Sequence, residues 1–125
     1  MQTLRNRHEF ITLRDKGLKQ VTPVFILQAF ARGDNEAPRY GLTASKKTGN
    51  AVRRNRARRR MRALIRHCLA EQAQTGWDYG LIARYDMADV AFDEAVALLN
   101  KAIVKIHSKA VSKNTAKRDI SSKGL

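Results

Sequence analysis

The sequence predicts an α+β domain in the order α-β-β-β-α-β-α, a two-layer sandwich with helices packed on one mixed four-stranded sheet. Three observations predict it. Short β-rich runs are interspersed with stretches of helical periodicity, Gly- and Asn-bearing breaks separate them, and 125 residues suffice for one core but not two. Hydrophobic residues make up 43% of the chain, enough to build that core despite a formal net charge of +14.

Arg7 to Lys16 reads as a short helix closed by Gly17, with Lys16 suited to the negative end of its dipole. Phe10 and Leu13, three residues apart, share the face that docks on the sheet. Leu18 to Gln20 is a short strand, and Val24 to Phe30, β-rich and preceded by Pro23, is a fuller one. Arg32 to Pro38 carries Gly33, Asp34 and Asn35 and forms the hairpin connection. Arg39 to Ala44 is the third strand, leading into a loop from Ser45 to Asn50. A helix then runs to about Gln74, and Trp77 to Arg84 is the fourth strand after a break at Gly76. Phe92, Val96, Leu99, Ile103 and Ile106 recur at steps of four and three and mark a last helix to about His107. Asp93 and Glu94 sit at its positive end. Residues 1–107 thus form one domain. Residues 108–125 are polar, lysine-rich and aperiodic, and are expected to be a disordered basic tail.

The charge is concentrated in the middle helix and its approach. No acidic residue falls between Glu36 and Glu71, while eleven Arg and Lys do. A helical wheel puts Ala57, Met61, Leu64, Ile65 and Cys68 on one side and Asn55, Arg59, Arg62 and Arg66 on the other. That polar row spans about 16 Å at 1.5 Å per residue. Arg54 and Arg58 flank it on one side, Arg56, Arg60 and His67 on the other. Like charges at i,i+4, such as Arg58 and Arg62 or Arg62 and Arg66, each cost about 0.2–0.5 kcal/mol. Asn50 is the expected N-cap, so Arg53 and Arg54 fall in the first turn, where the dipole disfavours cations. A local rule broken where charge accumulates points to a polyanion, and arginine's planar fork suits phosphate.

A basic run can also be a solvated face, a nuclear import signal or a heparin-type patch, but this one is embedded in a helix with a clean apolar face. A nucleotide-binding P-loop is excluded, because Lys46 and Lys47 precede Gly49 rather than follow a glycine loop. Nucleic acid is the partner this chemistry fits, with steep salt dependence.

Other classes find little support. No apolar run approaches the ~18 residues of a membrane span and the N-terminus has no signal-type apolar region, so a cytoplasmic protein with no membrane partner is expected. Cys68 is a core residue, and His8, His67 and His107 have no cysteine partners at zinc spacing. Asp86, Asp89, Asp93 and Glu94 form the one cluster of acids, of which the last two serve a helix end. With no carboxylate constellation for a two-metal nuclease and no histidine pair, no catalytic or metal-binding residue is assigned.

The run SKKTGNAVRRNRARRRMR from Ser45 to Arg62, with Arg54-Asn55-Arg56 inside it, resembles the signature of the bacterial ribonuclease P protein family. Leu4, Phe10, Gly17, Phe25, Leu27, Gly41, Gly76-Trp77-Asp78 and Ala83-Arg84 extend the likeness over residues 4–106. The resemblance implies a left-handed βαβ crossover through the basic helix and a subunit of the ribonucleoprotein that removes the 5′ leader from precursor tRNA. It implies that the RNA performs the hydrolysis with bound Mg2+; for the assembly, one protein bound to one RNA is the simplest expectation. Carried over by motif, contact with the catalytic RNA falls to Arg54, Asn55, Arg56, Arg58, Arg59 and Arg62, with Lys46, Lys47 and Asn50 in the loop. Arg53 and Arg66 complete that surface. A cleft between the first helix and the sheet would take the single-stranded leader on Phe10 and Phe25, since stacking tolerates any base. Arg14 and Gln28 stand where some members carry cleft aromatics. The alternatives are a structural RNA-binding protein of ribosomal type, which needs no leader cleft, and a DNA-binding architectural protein, for which heptads and a minor-groove wedge are lacking.

Overall fold

The computed structural model describes the backbone of residues 1–123 and the side chains of residues 1–111. Its strands are β1 (Gln2–Thr3), β2 (Leu18–Val21), β3 (Phe25–Ala31), β4 (Arg39–Thr43) and β5 (Trp77–Ala83). Its helices are α1 (Arg7–Lys16), α2 (Ala51–Leu64), α3 (Ala70–Gln72) and α4 (Phe92–Lys123). The α+β architecture is as predicted, but the sheet has five strands rather than four, in the order β1-β4-β5-β3-β2. The extra strand is β1, two exposed residues paired in parallel with the start of β4. So short a piece has no periodicity to read. Its pairing is extended by the Leu4 N–H donating to the Tyr40 carbonyl at 2.8 Å.

β4 and β5 are parallel neighbours joined through α2, while β3 runs antiparallel to both β5 and β2. Side chains alternate across the sheet. Phe25, Leu27, Ala29, Tyr79 and Leu81 join the core built with Met61, Leu64, Leu69, Leu99 and Ile103 of the helices that follow. The opposite face receives α1. Gly41 and Gly80 lie side by side in the β4–β5 register there. A Cβ at Gly41 would stand 2.3 Å from the Phe10 ring, and one at Gly80 would stand 2.6 Å from Leu13 Cδ2. Glycine at these two positions lets α1 press its aromatic and its leucine onto bare backbone.

The basic helix is not regular throughout. After Leu64 it passes through a π turn, Ile65–Leu69, before α3, and the Ala70 N–H reaches back to the Ile65 carbonyl. The wider turn lets Ile65, Cys68 and Leu69 all face inward. The final helix passes the predicted end at His107 and continues to Lys123. Residues read from sequence as an irregular tail continue it, because Ala, Lys and Arg between residues 109 and 118 favour helix and no Gly or Pro intervenes before Gly124. Apolar periodicity stops where the core ends, and the backbone has no reason to stop with it. Gly124 and Leu125 lie outside the described residues.

Candidate nucleic-acid interface

The loop before α2 is a 3-10 turn, Lys46–Thr48, capped by the Ser45 hydroxyl, which accepts from the Lys47 N–H. Gly49 follows with φ of 123°, a conformation few side chains tolerate. Asn50 then caps α2, its Oδ1 accepting from the Arg53 N–H at 3.0 Å. This cap fixes where the helix starts, and so which way each arginine points. Ala57, Met61 and Leu64 are fully buried on the inner face. Asn55, Arg59, Arg62 and Arg66 are all exposed on the outer one, with Arg56 beside them. Among the described residues none of the row's side chains makes a hydrogen bond or ion pair within the chain. Lys46 and Lys47 are exposed as well.

The arginines nominated from sequence divide into two sets. Arg53 is tied down: its guanidinium donates to the Tyr85 carbonyl and Asp89 Oδ2, both at 2.8 Å, and lies 3.9 Å from the Tyr85 ring centroid. Arg54 Nε donates to the Ala44 carbonyl at 3.0 Å, and Arg60 donates to the Val90 carbonyl. These three anchor α2 to the end of β4 and to the segment around the 3-10 turn Tyr85–Ala88, instead of projecting freely as the run of arginines suggests. Arg58 is half-buried. The hydrogen bond from Arg53 holds the Asp89 carboxyl below its usual range. Asp89 also lies 3.8 Å from Arg56. The sequence shows Asp86 and Asp89 as acids without a helix-end role; their proximity to α2 is a tertiary fact that no spacing announces. Next to the exposed row, Arg56, Arg59, Arg60, Ala63 and Phe92 line a shallow depression of about 410 Å³.

On the α1 side the nominated residues separate. Phe10 is half-buried against Gly41. Arg14 is exposed and paired with Asp15 at 2.9 Å. Phe25 is not part of this surface: it is fully buried and faces the other side of the sheet, in the main core. Odd-numbered positions of β3 point to the core and even ones to α1, so the family aromatic carried onto residue 25 falls on the wrong face. Gln28 does face α1, but it is only 5% exposed, beside Leu13 and Gly80. What the first helix leaves half-open on this face is Ile26, Ile82 and Phe30, with Thr43 exposed next to Ile82 in the register.

Charged side chains missed from sequence lock α1 to the sheet. Asp78 accepts from Arg39 Nε and Nη2, both at 2.8 Å, and from Arg32. Arg39 also pairs with Glu9 of α1. Burial acts to raise the Glu9 pKa, but the N–H groups of Asn6 and Arg5 and the charge of Arg39 outweigh it and the carboxyl stays ionised below its usual value. Hydrogen bonding to Asp78 likewise raises the Arg39 pKa. Glu9 and Asp78 are both nine-tenths buried, so the network is structural. Among the described residues no group of three or more His, Cys, Asp or Glu is placed to hold a metal ion.

Comparison with known proteins fits this arrangement. The family model described as Ribonuclease P matches residues 1–107. The ribonuclease P protein component of Ruegeria pomeroyi is 40% identical over 111 residues, covering 86% of this chain and 88% of that protein. That of Gluconacetobacter diazotrophicus is 38% identical over 102 residues, covering 82% and 88%. Among solved structures, the RNase P protein from Thermotoga maritima superimposes with a TM-score of 0.68 at 25% identity, over 82% of this chain and 96% of that one. The Staphylococcus aureus RNase P protein shares the fold, with a TM-score of 0.65 at 21% identity over 88% and 95%. With a matched model over most of its length and relatives of this identity, the chain belongs to the bacterial ribonuclease P protein family.

Proposed function

We propose that this chain is the protein subunit of a ribonucleoprotein that removes the 5′ leader of precursor tRNA, and that it binds the catalytic RNA through α2. The observation that carries the reading is the exposed row Asn55, Arg59, Arg62 and Arg66, backed by a buried inner face and left without partners among the described residues. A polycation displayed this rigidly holds phosphates in place without first having to order its own backbone. Arg53, Arg54 and Arg60 serve the same end by fixing the helix rather than by reaching the RNA. Lys46, Lys47 and Arg56 widen the contact.

The leader lies across the α1 face of the sheet, on Phe10, Arg14 and the half-open apolar strip of Ile26, Ile82 and Phe30. Apolar and aromatic contact of this kind reads no sequence. Hydrolysis belongs to the RNA, with Mg2+ held there, and no step runs through a protein carboxylate. One protein acts with one RNA in the cytoplasm.

Reconstitution tests this. The purified protein is added, at near-physiological magnesium and salt, to a bacterial ribonuclease P RNA with 5′-labelled precursor tRNA. The expected result is cleavage at the mature 5′ end that requires the RNA and is stimulated by the protein. Binding to the RNA without stimulation would instead favour the structural RNA-binding reading.

A further inference from the structure

The chain has a second acid-free stretch, and it falls on a different element. Between Glu94 and Asp119 there is no Asp or Glu, while Lys101, Lys105, Lys109, Lys113 and Lys117 recur every four residues and Arg118 follows. The helix α4 covers all of them. Lysine at i,i+4 without an interleaved acid is the same unfavourable pattern that marks α2, and Lys101, Lys105 and Lys109 are exposed. Successive members stand about 6 Å apart along the axis.

This row borders a groove. α4 packs against the edge strand β2, and Lys109 Nζ donates to the Lys19 carbonyl of that strand at 2.9 Å. Between the two elements lies a cavity of about 200 Å³ lined by Gln20, Thr22, Pro23, Leu98, Lys101 and Lys105. Gln20 Oε1 is buried and has no hydrogen-bond partner among the described residues. An orphaned acceptor of this kind costs free energy unless a ligand's donor meets it. Val104, 60% exposed between the lysines, adds an apolar surface on the outer side.

We propose that the groove between α4 and β2 is a second binding track for the catalytic RNA, with Lys101, Lys105 and Lys109 on successive phosphates and Gln20 Oε1 accepting from a ribose hydroxyl or a base amino group. The chemistry is that of a backbone track: point charges on flexible stems neutralise phosphates without reading bases. The RNA subunit is the occupant because α4 packs on the same side of the sheet as α2, opposite the α1 face assigned to the leader. The two basic elements are also joined, since Gln72 Nε2, just after the π turn, donates to Asn100 Oδ1 at 2.8 Å, next to Lys101. The inference rests on the reading of α2 given above, and its test separates the two.

The experiment measures binding of full-length protein to a bacterial ribonuclease P RNA as a function of salt, with chemical footprinting of the RNA. Four variants are compared with the wild type: Lys101→Gln/Lys105→Gln, Lys101→Arg/Lys105→Arg, Gln20→Met and Arg59→Ala/Arg62→Ala. The double Gln variant is expected to bind more weakly and to lower the slope of log affinity against log salt by about 1.4–1.8, from about 0.7–0.9 per phosphate contact. It should expose nucleotides other than those exposed by the α2 variant. The Arg variant should retain the slope, and Gln20→Met should lose affinity several-fold with the slope unchanged. If the α2 variant weakens binding while the double Gln variant leaves affinity, slope and footprint unaltered, the lysine row is a solvated face and the inference falls alone. If neither variant matters, the reading of α2 falls with it. The inference is also overturned if the Gln variant binds the RNA subunit normally but, in the holoenzyme, loses affinity for precursor tRNA, or if the Arg variant is as defective as the Gln variant.

Discussion

Phe10 and Phe25 have the same chemistry, yet the sheet separates them. Phe25 is fully buried among core side chains, so Phe25→Ala is expected to destabilise the fold by about 3–5 kcal/mol, measured by urea denaturation. Its effect on binding should be the same for precursor and mature tRNA. Phe10 rests on Gly41 with part of its ring in solvent. Phe10→Ala in the reconstituted holoenzyme should reduce affinity for precursor tRNA more than for mature tRNA, because only the precursor has a leader. Equal losses would make Phe10 a docking residue and nothing more. Asp78 is the other decisive position at this scale: it is 4% exposed and holds both Arg32 and Arg39. Replacing it by Ala leaves two guanidinium groups short of their counter-charge, and a loss of about 3–5 kcal/mol is expected in the same denaturation measurement.

At the scale of elements, the binding role proposed for α2 comes at a cost in stability. Arg62 repels Arg58 and Arg66, at about 0.2–0.5 kcal/mol each, and Arg59 makes no compensating pair among the described residues. Arg59→Ala/Arg62→Ala should therefore weaken RNA binding and flatten its salt dependence, yet raise the melting temperature of the free protein slightly. A fall in melting temperature would mean that these arginines hold the fold. The face they occupy was legible because helical period and charge are both local. Which arginines are engaged internally was not, since Arg53 finds Asp89 and Arg60 finds the Val90 carbonyl only after α2 and the segment following β5 are brought together. The face of β3 was equally hidden: Val24 to Phe30 is apolar nearly throughout, so no alternation separates Phe25 from Ile26. β1 was too short to see, and α4 outlasted its apolar stripe. A different latch ties α4 to β5. The Gln74 N–H donates to the Tyr79 hydroxyl at 2.9 Å, and the same hydroxyl is hydrogen-bonded to His107 Nε2, also at 2.9 Å. Burial pushes the His107 pKa down, which favours the neutral imidazole in the folded chain. The unfolded chain takes up the proton near the ordinary value of about 6.5, which the folded chain resists. Stability is thus fully present above that value, declines as pH falls through it, and levels off below the folded value. Thermal melts at about pH 8 and pH 5 should differ more for the wild type than for His107→Gln.

For the molecule as a whole, the charge to which binding is ascribed in the proposed function opposes folding in isolation. A net charge of +14 on 125 residues repels itself over distances comparable to the Debye length, about 10 Å at 0.1 M salt. The eleven cations between Glu36 and Glu71 face no acid within their own segment, and the exposed acids, such as Asp15 and Asp89, are already engaged with arginines. Salt must then act in opposite directions on the two states of the protein. Raising NaCl from about 0.05 to 0.5 M shortens the screening length to a few ångströms and should raise the melting temperature of the free protein. Over the same range the RNA complex should lose affinity by orders of magnitude, because each phosphate contact would no longer release a counterion into dilute solution. At low salt the order reverses, and a polyanion that binds only the folded state should restore stability by mass action. The check is one set of melts, with and without a bacterial ribonuclease P RNA, across that salt range: the melting temperature of free protein should climb while the stabilisation due to RNA shrinks. If free protein instead melts lower as salt rises, its ion pairs, with Arg32, Arg39, Asp78 and Glu9 at their centre, outweigh the repulsion, and the basic surfaces impose no burden that RNA needs to relieve.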